Sequence, residues 1–146
     1  MLALGALCAY GEGKPDFTGT WRMNEEKSAF DRQGPPKGAT VLKVEHREPK
    51  LTETIFHEPE PKAMGTVEYV TDGSEGTNVV MGSRMKCTAQ WERRELVIAT
   101  WGSFGTNEMR LTDRWQLLGD GRTLARGSTR GRAGRRSRGS FFERQK

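Results

Sequence analysis

Few side chains in this sequence could act as metal ligands. The two histidines, His46 and His57, lie on neighbouring predicted strands, and a metal ion there would need a third ligand from Glu45, Glu53 or Glu58. Metal sites in proteins have recognisable ligand spacings, and none of them occurs here. The sequence therefore predicts histidines that are partly exposed or hydrogen-bonded in the core, and it predicts neither a metal site nor a cofactor.

The residues that could act as nucleophiles do not stand in an activating context. No serine has the surroundings of a nucleophile elbow, and no Ser–His–acid set can be assembled. Cys87 lies in the middle of a predicted strand, where a thiol is typically buried and unreactive. No two carboxylates are placed as an acid–base pair. The sequence therefore predicts a binding or structural protein. An enzyme that acts on a small ligand within the barrel is a further alternative, for which no catalytic residues can be named.

Arginine is concentrated near the C-terminus. The segment from Arg122 to Arg138 is rich in arginine and has no acidic residue, within a chain of net charge +5. Guanidinium groups in a Gly- and Ser-containing loop suit phosphates, anionic glycans or lipid headgroups, whereas the lack of interleaved aromatic residues argues against a specific nucleic acid. The alternative is a solvated loop without a partner. The residues predicted to contact an anionic polymer or membrane surface are Arg126, Arg130, Arg132, Arg135, Arg136 and Arg138.

The elements that would position these residues are short β-strands. From Met85 to Glu92 apolar and polar residues alternate without exception, which predicts a strand with one packed and one solvated face. The same alternation in Glu108–Leu118 places Asp113 on the inner side. Asp72-Gly73 and Asp120-Gly121 are typical of hairpin turns.

The strands and short turns together predict an all-β fold. About eight to ten strands follow one another with no segment long enough for a parallel crossover helix. Such an antiparallel up-and-down meander removes its exposed edges when it closes, so we expect a closed or nearly closed barrel. A β-sandwich is the alternative.

Large apolar residues at inward positions of this barrel are the candidates for a binding site. Six Met and four Trp suit an adaptable apolar pocket. The alternative is a packed barrel with a structural role only, because the side chains of a small barrel can fill its interior. The candidate interior residues are Met64, Tyr69, Met81, Met85, Trp91, Trp101, Phe104, Met109 and Trp115.

The chain divides into a short leader and one domain. Met1 to Tyr10 is typical of the end of a secretory signal peptide, with small Ala9 at the cleavage position. Acylation of Cys8 in a lipoprotein is the weaker alternative. No segment has the roughly 20 apolar residues of a membrane span. We therefore expect a leader over residues 1–15, a single monomeric barrel domain over residues 16–146, and a secreted or periplasmic location.

Several motifs carry a family resemblance over nearly the whole domain. The opening Gly19-Thr20-Trp21 is similar to the Gly-x-Trp start of lipocalins and fatty-acid-binding proteins. In order and spacing, the chain resembles bacterial secreted lipocalin-like (calycin-type) domains of unassigned function. The motifs that carry this second likeness are DFTGTW (16–21), KSAF (27–30), a Pro-Pro-Lys turn (35–37), VEH (44–46), YVTDG (69–73), a W-x-x-x-x-LVI hairpin (91–98), DRW (113–115) and FERQ (142–145).

The resemblance implies a barrel whose floor is closed by Trp21, with Arg144 of the final strand stacked across it. That pair would be structural. Two departures from the family pattern remain: the helical lid of fatty-acid-binding proteins is absent, and their carboxylate-gripping Arg and Tyr cannot be matched. The resemblance therefore supports binding of a small apolar or amphipathic molecule in the barrel and leaves its identity open.

Overall fold

Ten antiparallel strands form one continuous sheet. The structure is a computed structural model that describes residues 14–28, 39–80, 82–131 and 138–146, so the predicted leader lies outside the described residues except for its last two positions. Across the sheet the strands follow the order β4-β3-β2-β1-β10-β9-β8-β7-β6-β5. They are β1 (Gly19–Met23), β2 (Thr40–Arg47), β3 (Lys50–His57), β4 (Gly65–Val70), β5 (Gly76–Val80), β6 (Ser83–Glu92), β7 (Glu95–Phe104), β8 (Asn107–Leu118), β9 (Thr123–Arg130) and β10 (Arg138–Arg144).

The sheet curls into a nearly closed barrel. Apart from β4 and β5, strands consecutive in sequence pair with each other, and β1 also pairs with β10. β4 and β5 stand at the two edges of the sheet and lie side by side without a backbone ladder. The predicted all-β meander is confirmed. Among the described residues there is no helix, and hence none that could cross a membrane.

The strand register decides which side chains face the interior. In β6, Met85, Cys87 and Ala89 are buried, while the alternating residues Lys86 and Gln90 are exposed and Thr88 is half-buried, as the alternation predicts. The inner face continues through the paired residues of each neighbouring strand. One apolar core therefore lies inside the barrel and contains residues from all strands except β5.

The Asp72-Gly73 hairpin prediction is wrong. β4 and β5 flank this segment but do not pair, because the turn forms backbone hydrogen bonds with β6 instead. The Gly73 amide donates to the Ala89 carbonyl at 2.9 Å, and Asp72 forms an isolated bridge with Gln90. The Asp72 carboxylate accepts the Ser74 amide at 2.9 Å, so the dipeptide forms a local Asx turn at the gap between the sheet edges.

The predicted turn at Asp120-Gly121 is present between β8 and β9. Both residues have positive φ, of 57° and 84°, which Asp and Gly adopt more readily than other residues. The Arg122 amide closes the turn on the Gly119 carbonyl at 3.1 Å.

The two ends of the barrel differ in their turns. The β2–β3, β6–β7 and β8–β9 turns lie at one end, with the start of β1; we call this the closed end. The β3–β4, β5–β6 and β7–β8 turns lie at the other, which we call the open end.

Candidate ligand chamber in the barrel

The closed end is filled by aromatic rings. Phe17, immediately before β1, is fully buried and lies parallel to Trp91, with ring centroids 5.9 Å apart. It meets Trp115 edge-on at 5.5 Å and stacks on His46 at 5.7 Å. Each such pair adds stability beyond the area it buries. These rings form an aromatic floor at the closed end.

Trp21 and Arg144 close the same end. The Arg144 guanidinium lies 4.2 Å from the centroid of the Trp21 ring and donates to the carbonyls of Thr18 and Gly121 at 2.6 and 2.9 Å. The Trp21 indole donates to the Phe17 carbonyl at 2.9 Å. The structure thus has the cation–π contact that the resemblance implies, and every polar partner in it is protein backbone.

A carboxylate at the closed end joins three elements of the barrel. Glu48, in the β2–β3 turn, accepts from Thr71 and Trp91 at 2.6 and 2.7 Å, and it lies 2.6 Å from Nε2 of His46. Nδ1 of His46 accepts a hydrogen bond from the Phe17 amide. The ring proton of a neutral His46 is therefore on Nε2, which donates a hydrogen bond to Glu48. Burial alone would raise the pKa of Glu48, but these hydrogen bonds outweigh it and lower the pKa.

His46 is therefore a structural residue of the floor. Both of its ring nitrogens have protein partners, and within the described ranges no group of three or more His, Cys, Asp or Glu side chains could hold a metal ion. His57 lies on the inner side of β3 at the open end, paired with Thr40 in the register.

Toward the open end the inner face becomes accessible. Inward residues of the floor, such as Leu51 and Leu96, are fully buried. Nearer the open end, Met85 and Cys87 of β6 remain buried, whereas several inward residues of the other strands are only half-buried. These accessible inward residues are mostly apolar and come from β3, β4, β7 and β8. We call the space that they line the chamber; its lining residues are Ile55, Val67, Thr100, Met109 and Leu111.

A polar cluster lies at the base of the chamber. The Arg126 guanidinium of β9 donates to the Glu53 carboxylate of β3 at 2.8 Å across the barrel. Glu53 is 2% exposed, whereas Arg126 is 19% exposed. Beside them, the Ser128 hydroxyl donates to the buried carboxylate of Asp113. The cluster therefore holds two acidic residues and one arginine, with Arg126 at its most accessible point.

Aromatic groups surround this cluster. The Arg126 guanidinium lies 4.7 Å from the Trp115 ring centroid and 5.8 Å from that of Phe142. Burial is the largest cause that raises the pKa of Tyr69, and the charges of Glu53 and Asp113 raise it further. The Trp115 indole N–H is buried and has no hydrogen-bond partner among the residues that the structure describes.

Burial raises the pKa of Glu53. The nearby Arg126 charge lowers it, but not enough to offset the loss of solvent, and the Asp113 charge adds to the rise. Glu53 is thus easier to protonate in the folded protein than in water.

The structure brings most of the predicted interior residues to the inner face. Tyr69, Met85 and Trp115 are buried there, and Trp91 faces inward in the floor. Phe104 and Met109 face inward at the open end and are half-buried. Met81 lies outside the described residues.

Two predicted interior residues lie elsewhere. Met64 precedes β4 and is 69% exposed, because the strand begins only at Gly65. Trp101 pairs with Lys86 and Arg110 and stands on the outer face. The inward position next to it is Gly102.

A side chain at Gly102 would clash with the interior. Its Cβ would lie 2.6 Å from the sulfur of Met85, which occupies that space.

On the outer face of the barrel, the Arg110 guanidinium lies 5.9 Å from the centroid of the Trp101 ring. Both residues line a groove of about 430 Å³ at the β7–β8 turn, together with Gly102, Ser103, Glu108, Met109 and Gly131.

The prediction of an exposed anion-binding loop is wrong for Arg126. Its side chain points into the barrel and pairs with Glu53, because Arg126 shares the inward register of Leu124 and Ser128. Arg130 is exposed at the end of β9. Arg132, Arg135 and Arg136 lie outside the described residues, as does the side chain of Arg138.

Sequence reasoning considered Glu53 only as a possible third metal ligand and missed its buried ion pair. A signal was present, because Glu53 is two residues from Leu51 and two from Ile55, and alternate residues of a strand share one face. A carboxylate at such a position needs a buried partner. The partner, Arg126, is 73 residues away in sequence, and only barrel closure brings it near.

Cys87 is buried on the inner face, as predicted. Burial raises the pKa of its thiol, although a hydrogen bond from the Asn78 side chain acts in the opposite direction. A thiol in this environment is a poor nucleophile.

Solved structures of other proteins have the same architecture. A secretory abundant heat soluble (SAHS) protein from Ramazzottius varieornatus superimposes with a TM-score of 0.69 at 13% identity, over 92% of this chain and 99% of that one. SAHS protein 4 from the same organism gives 0.65 at 13% identity, over 90% and 96%. The fluorescent protein UnaG gives 0.63 at 15% identity, over 88% and 97%.

The fold is a calycin-like β-barrel. At these identities the likeness extends to the fold and no further. No protein-family model and no curated protein sequence matches the chain. The chemistry of the barrel must therefore be derived from its own residues.

Proposed function

We propose that this barrel binds a small apolar or amphipathic molecule in the chamber. The observation that carries the proposal is the contrast along the barrel axis between a filled floor and accessible inward residues above it. Ile55, Val67 and Leu111 would bury the apolar part of the ligand. Removal of that surface from water stabilises a complex by about 25 cal/mol per Å².

The polar cluster at the base of the chamber has the groups of a binding site. Ser128 donates to Asp113, and Arg126 is paired with Glu53, so a few polar groups converge at one point of the inner face. Ligand sites are commonly apolar clefts with a few convergent polar groups, and this chamber has that composition.

We also propose that the protein acts outside the cytoplasm. The support is the signal-like sequence from Met1 to Tyr10 and the description of two structural relatives as secretory. Cleavage after Ala9 in a protein expressed with a complete signal peptide would be read from the mass of the mature chain.

Native mass spectrometry of the full chain tests the binding proposal. We expect uptake of one molecule of dodecanol, a simple uncharged amphiphile, which is lost on denaturation. Leu111→Trp fills the chamber from the inner face of β8 and should abolish uptake. Thr112→Trp places the same ring on the outer face of that strand and should leave uptake unchanged. Equal uptake by both variants would overturn the proposal.

A further inference from the structure

The charges at the base of the chamber restrict the ligand further. Glu53 and Asp113 provide two carboxyl groups, whereas Arg126 is the one cationic side chain among the described residues of the cluster. The pairing of Arg126 with Glu53, at 2.8 Å, already satisfies its charge. A ligand that reaches this depth therefore meets no unpaired cation in the cluster.

We infer that the chamber takes amphiphiles whose polar end is an uncharged hydrogen-bonding group, such as a hydroxyl or carbonyl, and rejects carboxylates. The inference rests on the proposed function. It follows from the cluster geometry, because a ligand carboxylate beside Arg126 would have to compete with Glu53 and would stand near Asp113. Like charges at close range in a site shielded from water repel strongly.

The available hydrogen-bonding groups match an uncharged polar end. Arg126 is partly accessible, and its guanidinium has more donors than the bond to Glu53 uses. The buried indole N–H of Trp115, against which Arg126 lies, has no acceptor in the described part of the chain. A ligand oxygen would provide an acceptor without adding a charge to be desolvated.

The charge of Arg130 at the rim does not alter this selection. Arg130 ends β9 on the inward register, yet it is exposed, and solvent screens its charge. A carboxylate bound there would leave the ligand's apolar part without contact with the base of the chamber. Selection is therefore expected at the cluster and not at the mouth.

A pair of matched ligands tests the inference. Dodecanol and dodecanoate share one hydrocarbon chain and differ in the charge of the polar end. At about pH 7.5 we expect the wild-type chain to bind dodecanol at least about tenfold more tightly, a difference of about 1.4 kcal/mol. Dodecanoate binding that equals or exceeds dodecanol binding would overturn the inference and leave the proposed function standing. Binding of neither ligand would overturn both.

A substitution that should raise the affinity for dodecanoate provides a second test of the inference. Glu53→Gln keeps the size of the side chain, removes one negative charge and releases Arg126 to pair with a ligand. We expect dodecanoate affinity to rise about tenfold and dodecanol affinity to change little. Glu45→Gln, on the exposed outer face of β2, is the matched control and should change neither.

Asp113→Asn provides the same test without touching the Arg126–Glu53 pair. The amide oxygen can still accept from Ser128, so the fold is expected to survive if Glu53→Gln proves unstable. A rise in dodecanoate affinity is again expected. Unchanged affinity for both ligands in the two folded variants would contradict the assigned role of the cluster.

Discussion

The side-chain amide of Asn78 in β5 makes two hydrogen bonds to the backbone of Glu68 in β4. It accepts the Glu68 amide at 3.0 Å and donates to the Glu68 carbonyl at 2.9 Å. These are the bonds that a neighbouring strand would otherwise make. One side chain thus replaces a backbone ladder where the two sheet edges meet, and it leaves the rest of that seam unpaired.

Asn78→Ala should therefore weaken the barrel at this seam. Loss of the two hydrogen bonds to Glu68, together with the long one to the Cys87 sulfur at 3.4 Å, is expected to lower the free energy of unfolding by about 1–3 kcal/mol, measured by urea denaturation. The Glu68 amide should also exchange with solvent faster. Thr77→Ala, on the exposed outer side of the same strand, should change stability by less than about 0.5 kcal/mol. Equal stability of the two variants would refute the role of Asn78.

The Trp21–Arg144 contact should stabilise the closed end through its shape as well as its charge. Arg144→Lys keeps the charge but loses the planar stack and the geometry of the bonds to Thr18 and Gly121. We expect a loss of about 1–2 kcal/mol in the free energy of unfolding. Arg122→Lys, exposed in the adjacent turn, is the control and should be nearly neutral.

Gly19→Ala tests the Trp21–Arg144 contact by adding a methyl group next to the Arg144 guanidinium. A Cβ at Gly19 would lie 2.6 Å from Nη1 of Arg144, so the guanidinium must shift away from Trp21. We expect lower stability and altered Trp fluorescence in this variant. If its stability equals that of the wild type, the guanidinium does not require its observed position.

Glu48 should make the closed end sensitive to acid. Its pKa is lowered in the folded state by bonds from Thr71, His46 and Trp91, although burial acts against them. A group of this kind stabilises the fold above its ordinary pKa of 4.5, and the stabilisation is lost as the pH falls below that value. The wild-type advantage over Glu48→Gln in unfolding free energy should therefore shrink from neutral pH to about pH 3. An advantage that is constant with pH would contradict this assignment.

Glu53 should show the opposite pH dependence. Burial raises its pKa in the folded state, so its contribution is most favourable below 4.5 and declines as the pH rises through the folded value. Relative to Glu53→Gln, the wild-type chain should lose stability between about pH 4 and neutral pH. Denaturation curves for both proteins at several pH values measure the slope, and a slope of the opposite sign would show that Arg126 outweighs burial.

Strict alternation made the inner face of β6 and β8 predictable from the sequence. Met85 and Trp115 were placed inward because polar residues separate them from their apolar neighbours. β7 gave no such signal, since Leu96, Val97 and Ile98 are all apolar and all buried. Trp101 was consequently assigned to the wrong face, and its outward position follows only from the register with Lys86 and Arg110.

The polar cluster depends on contacts that sequence patterns do not contain. Arg126 was read as part of an arginine-rich loop because its neighbours in sequence are arginine, glycine and serine. Its partner Glu53 lies on a strand in the other half of the barrel. Local alternation can place each residue on the inner face, whereas the pairing requires the closed fold. The charge balance of the chamber, and with it the expected ligand class, could therefore be derived only from the structure.

The central claim is that an amphiphile occupies the chamber above the aromatic floor. The most direct test follows the amide and methyl resonances of the isotope-labelled chain during titration with dodecanol. We expect saturable shifts at Ile55, Val67 and Leu111, with little change at Trp21 and His46 in the floor. No shift at saturating ligand, or shifts confined to the outer groove at Trp101 and Arg110, would contradict the account.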